Sequence, residues 1–120
     1  MERALEEREK LRREVLRKAK EWASTLRGKY SAFLIGSYAR GDFNAWSDVD
    51  VLLVGEFEGN PIERLLRLDY PPGFEVVPLT REELERALKT GNPVVEDLKR
   101  KAIVLRDDLG LCEELSCSEE

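Results

Sequence analysis

Two short apolar runs, separated by a polar segment that contains glycine and aspartate, constrain the fold most strongly. The first covers residues 30–35 and ends at Gly36, and the second covers Val51–Val54 and directly follows Asp50. Apolar runs of this length, bounded by turn residues, are typical of strands that are buried on both faces. Such strands need helices packed on them, so the chain is predicted to form an α/β (α+β) domain.

Two further patterns extend the predicted sheet. Residues 74–79 form a third strand, in which Pro78 indicates an edge strand or a strand end because proline cannot donate a hydrogen bond to a neighbour. Residues 102–106 form a short final strand. The sequence thus predicts a mixed, mostly antiparallel sheet of three or four strands, with helices packed largely on one side.

Apolar periodicity and capping residues predict four helices. Thr80 and Glu83 form a capping box, and Asn60-Pro61 and Asn92-Pro93 each combine a cap with a proline at the first helical position. The first helix has one apolar stripe and many charges, so it is either a solvated helix whose C-terminal half packs on the domain or a helix that docks a partner. The predicted helices cover residues 2–27, 61–68, 81–89 and 92–101.

The chain has 120 residues, which predicts one domain in three parts. These are an amphipathic basic helix at 1–29, a core at 30–108 and an acidic C-terminal tail at 109–120, which we expect to be loosely held. A separate substrate domain does not fit in this length. Any bulky substrate must therefore be bound jointly with another subunit. A homo-oligomer is one way to provide that subunit.

The net charge of −5 is unevenly distributed. Residues 1–30 carry ten basic and six acidic side chains, whereas residues 31–120 carry ten basic and nineteen acidic side chains. The acidic charge of residues 31–120 argues against a nucleic-acid partner. The apolar runs are too short to span a bilayer and the charged N-terminus lacks the apolar centre of a secretory signal, so we predict a cytoplasmic protein without membrane contact. Abundant charges and few amides fit a thermophilic source.

The absence of histidine restricts the chemistry of any active site. It excludes the Ser-His-Asp and Cys-His types of nucleophilic site, so acid, base and metal ligands must be carboxylates. The two cysteines, Cys112 and Cys117, have no second thiol pair with which to complete a zinc site, and we predict that they are reduced thiols.

Asp48 and Asp50 stand at the head of an apolar strand and point to the same face of it, with Cα atoms about 6–7 Å apart. Two carboxylates so close repel each other unless a cation or a proton intervenes, and their oxygen ligands favour Mg²⁺. Glu75, the only charged residue of the third strand, is either a third active-site carboxylate or a solvated residue at a strand start. Gly36 and Ser37 form a turn that can bind phosphate oxygens. Metal and phosphate sites that face each other suit phosphoryl or nucleotidyl transfer.

Gly36-Ser37, followed after ten residues by Asp48-Val49-Asp50, resembles the signature of the DNA polymerase beta-like nucleotidyltransferase superfamily. Ala39-Arg40-Gly41, Ser47 and the order of elements from residue 30 to 108 resemble its minimal nucleotidyltransferase branch more closely.

The resemblance implies a role for each matching residue. Asp48 and Asp50 would bind Mg²⁺, Glu75 would occupy the third carboxylate position, and Gly36 and Ser37 would contact the triphosphate of ATP. Three further roles are assigned by residue type: Arg40 contacts phosphate or braces the loop, Trp46 stacks on a base or anchors its own loop, and Ser47 caps the entry to the strand.

Members of this branch are often encoded beside small all-helical proteins of the HEPN type, with which they resemble toxin–antitoxin modules. The resemblance implies transfer of AMP from ATP to a tyrosine hydroxyl of that partner. Two alternatives remain at this point: neutralisation of the partner by binding alone, and nucleotidyl transfer to a small molecule or RNA.

Overall fold

The structure, a computed structural model, describes residues 2–93, 95–96, 101–115 and 117–118. Its helices and strands alternate along most of the chain. In chain order the elements are α1 (Glu2–Thr25), β1 (Ser31–Ile35), α2 (Gly36–Arg40), β2 (Val49–Val54), α3 (Pro61–Leu66), β3 (Phe74–Leu79), α4 (Arg81–Thr90), β4 (Ile103–Asp107) and α5 (Cys112–Leu115).

The four strands form one sheet in the order β3-β2-β1-β4. β1 pairs antiparallel with β2 and with β4, whereas β2 and β3 are parallel. The prediction of a mixed, mostly antiparallel sheet is therefore confirmed. β3 lies at an edge, as Pro78 indicated, because its outer side needs no backbone donor there.

Both faces of the sheet are covered by apolar side chains. One face packs against α1, α2 and α3 through a cluster that includes Trp22, Leu34 and Leu53, and the other packs against α4 and α5 through a cluster that includes Phe33, Leu52 and Leu84. Most helical residues lie on the first side, as predicted. β1 is buried throughout because its alternating side chains supply both clusters.

The predicted caps set the helix boundaries. Thr80 and Glu83 exchange side-chain and backbone hydrogen bonds at the start of α4, and Asn60 and Glu63 do the same at α3. Gly91 ends α4 with a left-handed backbone. Of the helix predicted for 92–101, Pro93, Val95 and Glu96 are helical, and residues 94 and 97–100 lie outside the described residues.

Two predictions about the C-terminal segment were wrong. Leu111 and Leu115 are buried in the second cluster, so the described part of this segment is packed on the sheet and is not a loosely held tail. Cys112 and Cys117 are joined in a disulfide and are not free thiols. Ser118 then pairs with Ile103, and backbone hydrogen bonds link Ser118 to Ala102 and Val104. The packing of this segment was not evident from the sequence, because its apolar residues are few and the pairing of Ser118 with Ile103 is non-local.

Candidate active site

The candidate site lies at the end of the sheet where β1 finishes and β2 and β3 begin. Asp50 pairs in register with Ile35 of β1 on one side and with Glu75 of β3 on the other. In-register neighbours point to the same side of a sheet, so the Asp50 and Glu75 side chains stand side by side. The sequence could propose Glu75 only as one of two alternatives, whereas the register places it next to Asp50.

Asp48 precedes β2 by one residue and is exposed, and Glu75 is also exposed. Asp50 is half-buried between its two neighbours. The three predicted acidic residues therefore form an acidic rim at this end of the sheet. Solvent and ligands can reach the rim without any rearrangement of the core.

Gly36 is the residue that brings the loop and the carboxylates together. Its backbone has φ +73°, and a Cβ at this position would overlap Oδ2 of Asp50 and lie 3.0 Å from Asp50 Cγ. Only glycine combines this backbone conformation with so close an approach. The chain after β1 thus passes directly against the Asp50 carboxylate.

The predicted turn at Gly36-Ser37 is instead the start of the short helix α2, which follows β1 without any linker. Ser37 is half-buried in its first turn. Gly41 ends the helix with φ +96°, and its N–H donates to the Ser37 carbonyl at 2.8 Å. Two glycines therefore make possible the abrupt change from strand to helix and from helix to loop.

Residues 41–48, here called the site loop, connect α2 to Asp48. Asn44 N–H donates to the Ser47 hydroxyl at 2.9 Å, and Trp46 N–H donates to the Asn44 side chain at 2.8 Å. Ser47 is thus engaged within its own loop, in agreement with its predicted structural role. Arg40 forms an ion pair with Asp42 at 3.2 Å, which braces the start of the loop.

The basic helix α1 also holds the site loop, which sequence reasoning missed. Arg8 donates to the carbonyls of Phe43 and Gly41, each at 2.7 Å, and its guanidinium lies 4.5 Å from the centre of the Phe43 ring. Arg12 donates to the Tyr38 carbonyl at 3.2 Å. The four-residue spacing of these arginines places them on one helix face, which was the only available sign of the contact.

A cleft of about 600 Å³ lies between α1 and the site loop. Arg8, Arg12 and Phe43 line it, and Phe43 belongs to the cluster on the α1 face of the sheet. Asp50 and Glu75 share the opposite face with Ile35. The cleft is therefore separate from the carboxylates and does not define the candidate site.

The donor set of the rim consists of carboxylate oxygens, which Mg²⁺ prefers. Within the described part of the chain, no three acidic or thiol side chains are grouped closely enough to hold an ion by themselves. Mg²⁺ is commonly bound by one or two protein carboxylates together with substrate phosphates. Asp50 together with its sequence neighbour Asp48 fits that kind of site.

A family model described as a nucleotidyltransferase domain matches residues 8–118, most of the chain. The chain belongs to this family. The match includes Gly36, Asp48, Asp50 and Glu75 and extends into α1, which agrees with the contacts between α1 and the site loop. Nucleotidyl transfer is thus the general chemistry that the fold and the family support.

The chain is also similar to two individual proteins. It is 43% identical over 44 residues to a "putative protein adenylyltransferase" of Methanocaldococcus jannaschii, a match that covers 32% of this chain and 44% of that protein. It is also similar to the crystal structure of a "putative nucleotidyltransferase" from Sulfolobus solfataricus, at 28% identity and a TM-score of 0.54, over 66% of this chain and 78% of the other. The aligned part is thus less than half of the curated relative.

No helix in the described residues is long and apolar enough to cross a membrane.

Proposed function

We propose that this protein is a Mg²⁺-dependent adenylyltransferase that transfers AMP from ATP to a hydroxyl group of a partner protein. The observation that carries the proposal is the contact between Gly36 and the Asp50 carboxylate. It puts the backbone that is predicted to bind phosphate directly against a predicted metal ligand. A nucleotidyltransferase needs these two elements to meet at one point, where the α-phosphate reacts.

Transfer forms a bond between the acceptor oxygen and the α-phosphorus of ATP and breaks the bond from that phosphorus to the oxygen bridging it to the β-phosphate. Pyrophosphate leaves with the bonding electron pair. When bound, Mg²⁺ neutralises the negative charge that develops on the phosphate oxygens. Asp48 and Asp50 would hold the metal, and Gly36 and Ser37 would orient the triphosphate.

The acceptor hydroxyl must also lose its proton. Glu75 is the residue we assign to this step, because it lies beside Asp50 on the neighbouring strand and is exposed to an incoming acceptor. With no histidine in the chain, a carboxylate is the available general base at this rim. Glu75 could instead complete the metal site, and the variants below separate these roles.

A protein acceptor is supported by the similarity to the Methanocaldococcus jannaschii protein, which is named a "putative protein adenylyltransferase". We further propose that the acceptor is a tyrosine of a small all-helical HEPN-type partner, which this chain neutralises as an antitoxin. The open rim supports this, because a side chain of another protein can reach Asp48 and Glu75 without any lid having to move.

The test combines the purified protein with the proposed HEPN-type partner, ATP and Mg²⁺, and records intact masses. A mass increase on the partner equal to one AMP, with release of pyrophosphate, is the expected result. Asp48→Asn and omission of Mg²⁺ serve as controls that abolish the increase. An unmodified partner that is nevertheless neutralised would replace transfer with binding as the function.

Glu75→Gln and Glu75→Asp separate the two roles of Glu75. If Glu75 is the base, Glu75→Gln binds Mg²⁺ and ATP normally but transfers slowly. If Glu75 is a metal ligand, Glu75→Gln lowers the affinity for Mg²⁺ together with the rate of transfer.

A further inference from the structure

The two tryptophans of the chain lie in opposite environments. Trp22 is buried between α1 and the sheet and donates from its indole nitrogen to the Asp69 carbonyl at 2.7 Å. Trp46 is 93% exposed. An indole has a large apolar surface, and leaving it in water forgoes the free energy that burial would provide. The alternative that Trp46 anchors its own loop by packing is therefore wrong.

The backbone that carries Trp46 is nevertheless well held. The turn of residues 44–47 is closed by three hydrogen bonds: from Asn44 N–H to the Ser47 hydroxyl, from Trp46 N–H to the Asn44 side chain, and from Ser47 N–H to the Asn44 carbonyl. All three bonds are independent of the indole itself. The exposed ring is thus carried by a turn that is stable without it.

The turn is attached to the body of the protein through Phe43. This side chain is buried and stacks on Tyr38, with ring centroids 4.5 Å apart and an interplanar angle of 17°. Arg8 covers Phe43 with its guanidinium and binds the neighbouring carbonyls. These contacts fix the base of the site loop and so limit where the indole can be.

Trp46 precedes Asp48 by two residues, so their Cα atoms are at most about 7 Å apart. Its neighbours Asn44, Ala45 and Asp48 are exposed and provide no apolar surface larger than a methyl group. Among the residues that the structure describes, the other large exposed apolar side chains are Leu5 on α1, which lines the cleft beside Gly41 and Phe43, and Ile62 and Leu66 on α3. A single indole whose sequence neighbours are small or polar suits one flat ligand better than a broad protein interface, which needs a larger contiguous patch.

We infer that Trp46 is the stacking platform for the base of the nucleotide substrate. The inference rests on the proposed function, since it takes the triphosphate to lie at Gly36 and Asp50. Stacking on an aromatic side chain works for any base but is stronger for the larger ring system of a purine. Trp46 thereby provides affinity for the nucleoside and a preference for purine over pyrimidine triphosphates, whereas the carboxylates and α2 act on the phosphates.

The experiment measures binding by calorimetry in the presence of Mg²⁺, with ATP, CTP and inorganic tripolyphosphate as ligands. Tripolyphosphate has the phosphates but no base. The proteins are wild type, Trp46→Ala, Trp46→Phe and the control Leu66→Ala, which truncates another exposed apolar side chain that is 82% exposed. Melting curves check that each variant is folded.

Trp46→Ala is expected to weaken ATP binding about 5- to 100-fold, to reduce the preference for ATP over CTP, and to leave tripolyphosphate binding within about twofold of wild type. Trp46→Phe should recover part of the ATP affinity, and Leu66→Ala should bind all three ligands like wild type. In wild type, ATP should also quench the exposed indole emission, and Trp46→Phe should lose that quenching.

Two outcomes overturn the inference while leaving the proposed function intact. One is ATP binding to Trp46→Ala at wild-type affinity, which would make Trp46 a contact for a protein partner. The other is an equal loss of ATP and tripolyphosphate binding in a folded Trp46→Ala, which would mean that the indole acts on the loop and not on the base. A wild type that binds neither ATP nor tripolyphosphate overturns the proposed function itself.

Discussion

The acidic side chains at the two ends of the central sheet have different surroundings. At the end where β2 and β3 begin, Asp50 and Glu75 stand side by side in register, next to exposed Asp48. Like charges directly opposite each other weaken strand pairing. A cation bound at this end would reduce that repulsion.

At the other end, Asp107 and Glu83 form hydrogen bonds within the fold. Asp107 accepts hydrogen bonds from the Ser31 hydroxyl at 2.7 Å and from the backbone N–H groups of Leu111 and Cys112. Buried Arg64 donates to Glu83 at 2.6 Å and to the Pro78 carbonyl at 3.0 Å. The charges at this end stabilise the fold, whereas the carboxylates at the other end are the predicted metal ligands.

The largest expected effect concerns activity at the carboxylate end. Asp48→Asn should lower nucleotidyl transfer by at least about 1000-fold, because a lost metal ligand removes several kcal/mol of transition-state stabilisation. Its free energy of unfolding should change by no more than about 0.5 kcal/mol, since Asp48 is exposed. Product formation and urea titration measure the two quantities. Glu56→Gln, which removes an exposed carboxylate just beyond the other end of β2, is the matched control and should retain full activity.

The close approach of Gly36 can be separated from its backbone conformation. Gly36→Ala and Gly41→Ala both place a side chain at positive φ, but only the new Cβ at residue 36 overlaps the Asp50 carboxylate, since nothing lies within 4 Å at Gly41. Backbone strain should cost each variant about 1–2 kcal/mol. Gly36→Ala should lose about 1–3 kcal/mol more, together with metal-dependent ATP binding. Equal losses in the two variants would show that the contact with Asp50 has no special role.

At the paired end, Arg64→Ala should destabilise the protein by about 2–3 kcal/mol, because Glu83 and the Pro78 carbonyl lose a partner that is only 7% exposed. Arg81→Ala removes an exposed arginine whose ion pair with Glu85 is 3.9 Å long, and it should cost no more than about 0.5 kcal/mol. Thermal and urea unfolding measure both variants. Specific activity per folded molecule should stay at the wild-type level in each.

The disulfide fastens the segment that caps the Asp107 end of β4. Replacing both Cys112 and Cys117 with serine should lower the free energy of unfolding by about 2 kcal/mol, the loop-closure value for so short a loop. Dithiothreitol should shift the melting temperature of the wild type toward that of the double variant. Dithiothreitol should leave the melting temperature of the double variant unchanged. A shift in that variant would show that the reagent does not act through this disulfide.

The smallest effect is the response to acid. Burial alone would raise the pKa of Asp107, but its hydrogen bonds from Ser31, Leu111 and Cys112 outweigh burial and leave the pKa below the ordinary value of 3.8. The hydrogen bond from Arg64 lowers the pKa of Glu83 below 4.5. A carboxyl whose pKa is lower in the folded state stabilises the protein above its unfolded pKa and loses that contribution as pH falls.

Stability should therefore decrease from about pH 5 downward. Asp107→Asn and Glu83→Gln should each flatten this part of the pH profile, as followed by urea titration. Glu82→Gln, at an exposed neighbouring position, should leave the slope of this part of the pH profile unchanged. A wild-type profile that is flat down to pH 3 would contradict the assigned hydrogen bonds.

Local patterns predicted most of the elements because their physical causes are local. Caps at Thr80 and Asn60, the apolar run at β1 and the stop at Gly91 lie within a few residues of the elements that they define. Of the two wrong predictions, the one about the C-terminal tail concerned long-range contacts. Burial of Leu111 and Leu115 depends on a cluster assembled from distant parts of the chain, and the sequence alone did not predict it.

The sequence by itself determined which side chains could do chemistry here: without histidine, and with Asp48 and Asp50 at the head of an apolar strand, only carboxylates were available. Asp48 and Asp50 could be named as candidates from the sequence alone, although Asp48 lies just before β2 and not within it. Only the tertiary structure decided that Glu75 lies beside Asp50, that Gly36 meets the Asp50 carboxylate and that Arg8 holds the site loop. Each of those contacts joins separate elements, and their positions depend on strand register and helix packing, which no short stretch of sequence specifies.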